Sequence, residues 1–211
     1  MGRQLAPIEP IQPPDVQRPA KLNKLPLWVE QLCATCKTEC QPGPTGAYRD
    51  VPVLPKSLIL KSEQRMQVER HVAALSAALA LTPAEDMRHA ESTMTTVTKM
   101  MLVLPSREVG DLASEARGEA FMAALEDVPS WAVQEAMRKW YRAECGDKHD
   151  YKWQPAPATL RELAMREAYM VMGTRRKLRN LLIAEPLIEY TPEHEAEMRR
   201  KLDACLTLRR A

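Results

Sequence analysis

SEQRMQVERHVAALSAALALTPAEDMRHAESTMTTVTKMMLVLPS, residues 62–106, decides how the rest of the chain is read. Met66, Val68, Val72, Leu75 and Leu79 lie mostly on one face at helical spacing and predict a helix over 62–81. Thr82, Pro83, Ala84 and Glu85 then form a start signal. Thr82 serves as the cap, Pro83 sits in a first turn that needs no donor, and Glu85 follows three residues after the cap. Met87, Ala90, Met94, Val97, Met101 and Leu104 alternate threes and fours until Pro105 ends a second helix. Two long helices joined by a capped corner predict helix-on-helix packing.

The same reading extends toward the C-terminus. A third helix is expected over about 108–126, with Leu112, Ala116, Phe121 and Leu125 on or near its buried face. A fourth is expected over 130–144, capped by Asp127 or Ser130 and stopped by Gly146. GDKHDYKWQPAP, 146–157, reads as a loop. A fifth helix begins near Pro157 and runs toward Ala184, with Gly173 as a place to bend or split. Thr191, Pro192 and Glu193 open a last helix over 192–209. No strand alternation stands out. The predicted class is all-α, a small bundle of about five to six helices.

Toward the N-terminus the character changes. Ten of the 17 prolines fall within the first 60 residues. Proline removes a backbone donor and fixes φ, so that density predicts no long helix and no central strand. Residues 1–24 read as a largely disordered tail, with one short helix at 25–40. The expected domains are 1–60, the tail with its cysteine-containing helix, and 61–211, the helical body. Within the latter, 174–211 is set apart as a basic extension.

Composition agrees with helices. The 211 residues are 45% apolar, with only 7 glycines and one phenylalanine, so Ala, Leu, Met and Val must build the core. The net charge of +2 is too small to argue for nucleic acid or an anionic membrane. No apolar run has the length of about 18 residues that spans a bilayer, so no membrane partner is expected. The opening MGRQLAPIEPIQPPDV has no apolar signal core, and Ala6 stands where a myristoylation signal requires Ser or Thr. Five cysteines in such a chain read as reduced thiols in a cytoplasm.

Three features carry candidate chemistry. Cys33, Cys36 and Cys40 are spaced as a zinc half-site, but a closed tetrahedral site needs a fourth ligand. The nearest options, Cys145, His71 and Cys205, are distant in sequence. Leu25, Trp28, Val29, Leu32, Cys33, Cys36 and Cys40 instead follow one helical stripe, with cysteine as a small hydrophobe. That stripe is adopted here, with no metal and no cofactor expected. The four histidines, 71, 89, 149 and 194, are scattered, and neither a phosphate-binding loop nor a dinucleotide fingerprint occurs. An enzyme is therefore not expected.

Basic residues gather late. Arg175, Arg176, Lys177 and Arg179 lie within one and a half turns, while 81–130 holds nine acids against four bases. Such a cluster is either a solvated face paired to nearby carboxylates or a contact to phosphates or a partner protein. The aromatic rings that single strands stack on are missing from it.

The third feature is the tryptophan pair. Trp140 falls on the apolar stripe of the fourth helix with Val133, Ala136 and Met137. Trp131, nine residues earlier, lies about 180° round the helix. Its ring is expected to cover the corner near Leu125 and Val128, with a partner-facing ring as the alternative.

AFMAALEDVPSWAVQEAMRKWYRAECGDKHDYKWQPAPATLREL, 120–163, resembles small phage and prophage replication proteins of the helicase loader/inhibitor type. The matching positions are Phe121, Leu125, Asp127, Pro129, Trp131, Val133, Ala136, Trp140, Pro155, Pro157 and Leu160, and MTTVTKMMLVLPS before them also fits. The resemblance spans about 95–165. It implies a non-enzymatic helical adaptor, in the cytoplasm of a bacterial host, that binds a replicative helicase. By the same analogy the partner contact falls in the basic 174–209 region, and Trp131, Arg175, Arg176, Lys177 and Arg179 are its candidate residues. Two further expectations compete with it. One is a DNA-binding regulator acting through the basic C-terminal helices, and the other is a small zinc protein acting through Cys33, Cys36 and Cys40.

Overall fold

A computed structural model of the chain describes residues 23–43, 46–106, 111–189 and 191–208. It is mostly helical, with a small three-stranded sheet. The described elements run α1 (Leu27–Thr35), β1 (Lys37–Pro42), β2 (Tyr48–Leu54), α2 (Ser62–Leu79), α3 (Met87–Val103), α4 (Asp111–Leu125), α5 (Ser130–Tyr141), α6 (Pro157–Ile183), β3 (Glu185–Pro186) and α7 (Pro192–Leu208). The proline-rich stretch 1–22 lies outside the described residues. In place of a single boundary at 60, the chain divides into two compact units. One joins the residues up to Ala34 with Leu60–Leu182, and the other joins Thr35–Ile59 with the residues from Ile183 onward.

The larger unit is built around α5. Ser130, Trp131, Ala132, Val133, Ala136, Met137 and Trp140 are all buried, so the helix is enclosed on more than one side. α3 packs on both α4 and α5. The start of α5 also closes the end of α2. Trp131 Nε1 donates to the Ala78 carbonyl at 2.8 Å, and the Ser130 amide donates to the Leu81 carbonyl at 2.9 Å. The Ala78 carbonyl belongs to the last turn of α2, where nothing within the helix can satisfy it, and Leu81 follows just after the helix.

Several sequence expectations shift here. α2 buries Gln64, Val68, His71, Leu75 and Ala78, while Met66 is exposed. Of the predicted seam α3 buries only Val97, together with Thr93 and Met100 from outside it, while Met87 is 77% exposed and Met94 is exposed too. The face was misjudged because apolar side chains occur on two sides of α3, and only the position of α4 and α5 selects one. α3 begins five residues after Thr82. The Asp86 side chain accepts from the Arg88 amide at 2.8 Å, while residues 82–86 form a separate turn. At α5 neither Asp127 nor Ser130 caps; the cap position is Pro129, with no side-chain bond. Asp127 is drawn instead to Arg161, whose Nη2 donates to its Oδ2 at 2.8 Å. Ala116 is exposed on α4, and α6 runs unbroken through Gly173.

The smaller unit contains the sheet, which corrects the all-α expectation. β1 and β2 form an antiparallel hairpin with Lys37 opposite Val53 and Pro42 opposite Tyr48, and β3 adds in parallel at Val53 and Leu54. Prolines survive in this hairpin because of their register. The Gly43 amide bonds to the Ala47 carbonyl at 2.8 Å, so the hydrogen-bonded pairs fall on odd-numbered residues of both strands. Pro42 and Pro52 sit at the intervening pairs, where no donor toward the partner strand is needed. β3 is two residues long and does not reach Pro52. Cys40 therefore lies on β1, exposed, rather than on a helical stripe that ends at Thr35.

Candidate functional site

Trp131 is 6% exposed and its indole N–H is bound inside the unit, so the ring caps α2 rather than facing outward. The corner that it covers is the α2 C-terminus, and Val128 in the preceding turn is buried as well. Its sequence-based place among partner-contact residues is accordingly withdrawn.

The basic group is arranged differently. α6 buries Leu160, Leu163, Ala164, Ala168, Val171, Leu178 and Leu181 along one side. Arg176, Lys177 and Arg179 are exposed and Arg175 is half-buried. At about 100° per residue, the three arginines occupy roughly a quarter to a third of the helix surface, and Lys177 lies apart from them. Among the described residues, none of the four is in an ion pair. Some other cations of this unit are matched, with Lys139 Nζ 2.6 Å from Glu167 and Arg138 2.7 Å from Glu135. Among the described residues, Arg70, Arg88, Lys99 and Lys148 are in no ion pair either. What distinguishes the second half of α6 is density, with four such cations within the five residues 175–179. The 174–209 region is divided between the two units, since the first ends at Leu182 and α7 belongs to the second. Arg209 and Arg210 lie outside the described residues.

The cysteines do not converge. Cys33 lies on α1, Cys36 follows that helix and Cys40 lies on β1. Among the described residues, no group of three or more His, Cys, Asp or Glu is placed to hold a metal. Burial pushes the Cys36 thiol up, away from the thiolate that binds metal or attacks an electrophile. The same cause raises Cys145.

A site that the sequence reading missed lies where α4, α5 and the 146–156 loop meet the start of α6. A cavity of about 610 Å³ is lined there by Arg117, Trp140, Lys148, His149, Trp153 and Gln154, among others. Each wall has a local cause. Trp140 is 3% exposed, and its ring centroid lies 4.9 Å from Tyr151 and 5.3 Å from His149 in tilted contacts. Tyr151 Oη donates to the Gly146 carbonyl at 2.7 Å, holding the loop closed. Gln154 Nε2 donates to the Met101 and Leu104 carbonyls at 3.1 and 2.7 Å, so the loop caps the end of α3. The sequence signal was present as aromatic and basic residues interleaved in GDKHDYKW, but read as a solvated loop it suggested no enclosure.

Compared with known protein families, curated proteins and solved structures, the chain matches none. Among the described residues, no helix is long and apolar enough to cross a membrane.

Proposed function

We propose that the chain is a non-enzymatic helical adaptor of phage-type DNA replication, which binds a replicative helicase in the cytoplasm of a bacterial host and helps load or inhibit it. The observation that supports this reading most is the group Arg175, Arg176, Lys177 and Arg179, without carboxylate partners among the described residues. Four cations within five residues attract an acidic surface and help set its orientation. The helicase as partner comes from the resemblance over about 95–165.

The test is retention of purified host replicative helicase by the immobilised chain. Wild-type protein retains it; the variant carrying Arg175→Glu, Arg176→Glu, Lys177→Glu and Arg179→Glu releases it with unchanged melting. Failure of the folded wild-type chain to retain helicase sinks the proposal. A DNA-binding regulator is the second reading, supported by the same cations. It requires tight, sequence-selective duplex binding whose affinity falls steeply with salt, by a slope of about 0.9 per phosphate neutralised.

A further inference from the structure

The segment 174–183 of α6 that carries the cations contains no aromatic residue, whereas the cavity at the other end of that helix has both kinds of group. Trp153 and His149 supply ring faces, and Arg117 and Lys148 supply positive charge. Among the described residues of the wall Asp150 is the one carboxylate, and its Oδ1 is engaged by the Lys152 amide at 3.2 Å. Pro157 and Thr159, from the first turn of the 27-residue α6, complete the wall. A helix start presents amides without partners and the positive end of the helix dipole, which together favour an anion.

Two buried polar atoms on residues of this wall lack a hydrogen-bond partner. Trp140 Nε1 is a donor and Gln154 Oε1 an acceptor. The orientation of the Gln154 amide is settled by the two carbonyls that its nitrogen serves, which leaves the oxygen unused. Both atoms are closed off from solvent, so they lie behind the wall and the ligand contacts come from the ring faces and cations. The volume of about 610 Å³ is ample for a ring carrying one charged substituent.

We propose that this cavity binds a single nucleotide unit, with the base against Trp153 and the phosphate at the α6 N-terminus beside Arg117 and Lys148. Rings stack on any base face, and the cations neutralise the phosphate, so recognition is of nucleotide chemistry rather than of one sequence. The unit comes either from a free nucleotide or from one residue of a single strand. The proposal does not depend on helicase binding, which concerns other residues of α6.

The test titrates the full chain with thymidine monophosphate and, separately, with a short fluorescein-labelled oligo-dT. Quenching of tryptophan emission and anisotropy are the readouts. Saturable binding of either probe is expected. Free nucleotide alone saturating identifies the first source, and oligonucleotide alone the second. Lys148→Glu, on an exposed loop position, and Arg117→Glu each weaken binding by about tenfold or more, as expected for loss of a phosphate contact with charge reversal. Trp153→Phe binds nearly as wild type and Trp153→Ala does not. The α6 quadruple charge reversal leaves this binding in place. Three results overturn the proposal: neither probe saturates the folded chain; Lys148→Glu and Arg117→Glu bind as wild type; or only the α6 variant loses binding. If Trp153→Ala fails to fold, the two charge reversals still decide the matter.

Discussion

α5 and the second half of α6 belong to the same compact unit, and the chain uses them in opposite ways. α5 is buried on several sides, and both tryptophans, although on opposite faces of the helix, are enclosed. From Arg175 onward, α6 buries only a narrow line of leucines and leaves its cations unmatched. The contrast teaches that large aromatic residues here report stability, while potential for recognition lies in charges that the fold leaves without partners. A substitution in α5 should therefore change melting, and one in α6 should change binding.

The largest expected effect is at Trp131. Removing the ring in Trp131→Ala costs about 3–5 kcal/mol, from lost burial and from the Ala78 carbonyl left without its donor. Denaturant unfolding checks it; a loss below about 1 kcal/mol, the ordinary cost of a point substitution, would break the comparison.

His71 comes next. It is 2% exposed, neither ring nitrogen has a hydrogen-bond partner, and burial lowers its pKa from the ordinary 6.5. Below pH about 6.5 the unfolded chain takes up a proton that the folded chain resists, so stability is fully present above that pH and falls as pH drops. His71→Leu removes most of that dependence between about pH 5 and 7, the range in which an ordinary histidine titrates. Thermal melts of both proteins across that range are the measurement, and parallel pH curves would refute the assignment.

A smaller effect is expected at Arg161. Its guanidinium bridges the Ala124 carbonyl and Asp127, tying α6 to the α4–α5 corner. The same guanidinium holds the Asp127 carboxyl below its usual range. Both side chains are more than a third exposed, so screening limits the loss in Arg161→Ala to about 1 kcal/mol, read by denaturant unfolding. Smallest is Gly173→Ala. A Cβ at Gly173 meets nothing within 4 Å, so the substitution stabilises by about 0.5–1 kcal/mol, visible as a raised Tm. A lowered Tm would show that this part of α6 is not the continuous helix described. The α6 charge reversals sharpen the comparison from the other side, since their effect on stability should stay within about 0.5 kcal/mol.

Particular residues show where reading the sequence succeeds. The apolar periodicity of 62–79 marks α2, and the end of α3 at Val103 agrees with Pro105 as its stop. The opening of α7 has the His194 amide donating to Thr191 Oγ1 at 3.3 Å, in keeping with the Thr-Pro-Glu signal. Each depends on neighbours in sequence. The failures depend on partners far away in sequence. Nothing local in KTECQP announces a strand; it becomes one by pairing with YRDVPVL, and β2 then takes Glu185 and Pro186 from the far end of the chain. The cavity around Trp140 failed to show for the same reason. Its walls come from four segments, and the glutamine that closes the loop is bound to carbonyls 50 and 53 residues earlier.

By itself the sequence determined that the chain is predominantly helical, where most of its helices lie, and where its cations are concentrated, because 3.6-residue periodicity, proline and charge act through near neighbours. Only the tertiary structure decided which face of α3 is buried and that the Trp131 indole binds the Ala78 carbonyl at the end of α2. It also decided that Cys40 lies on a strand and which cations lack partners. Those outcomes follow from burial and hydrogen bonding between segments distant in sequence, and no local pattern records them.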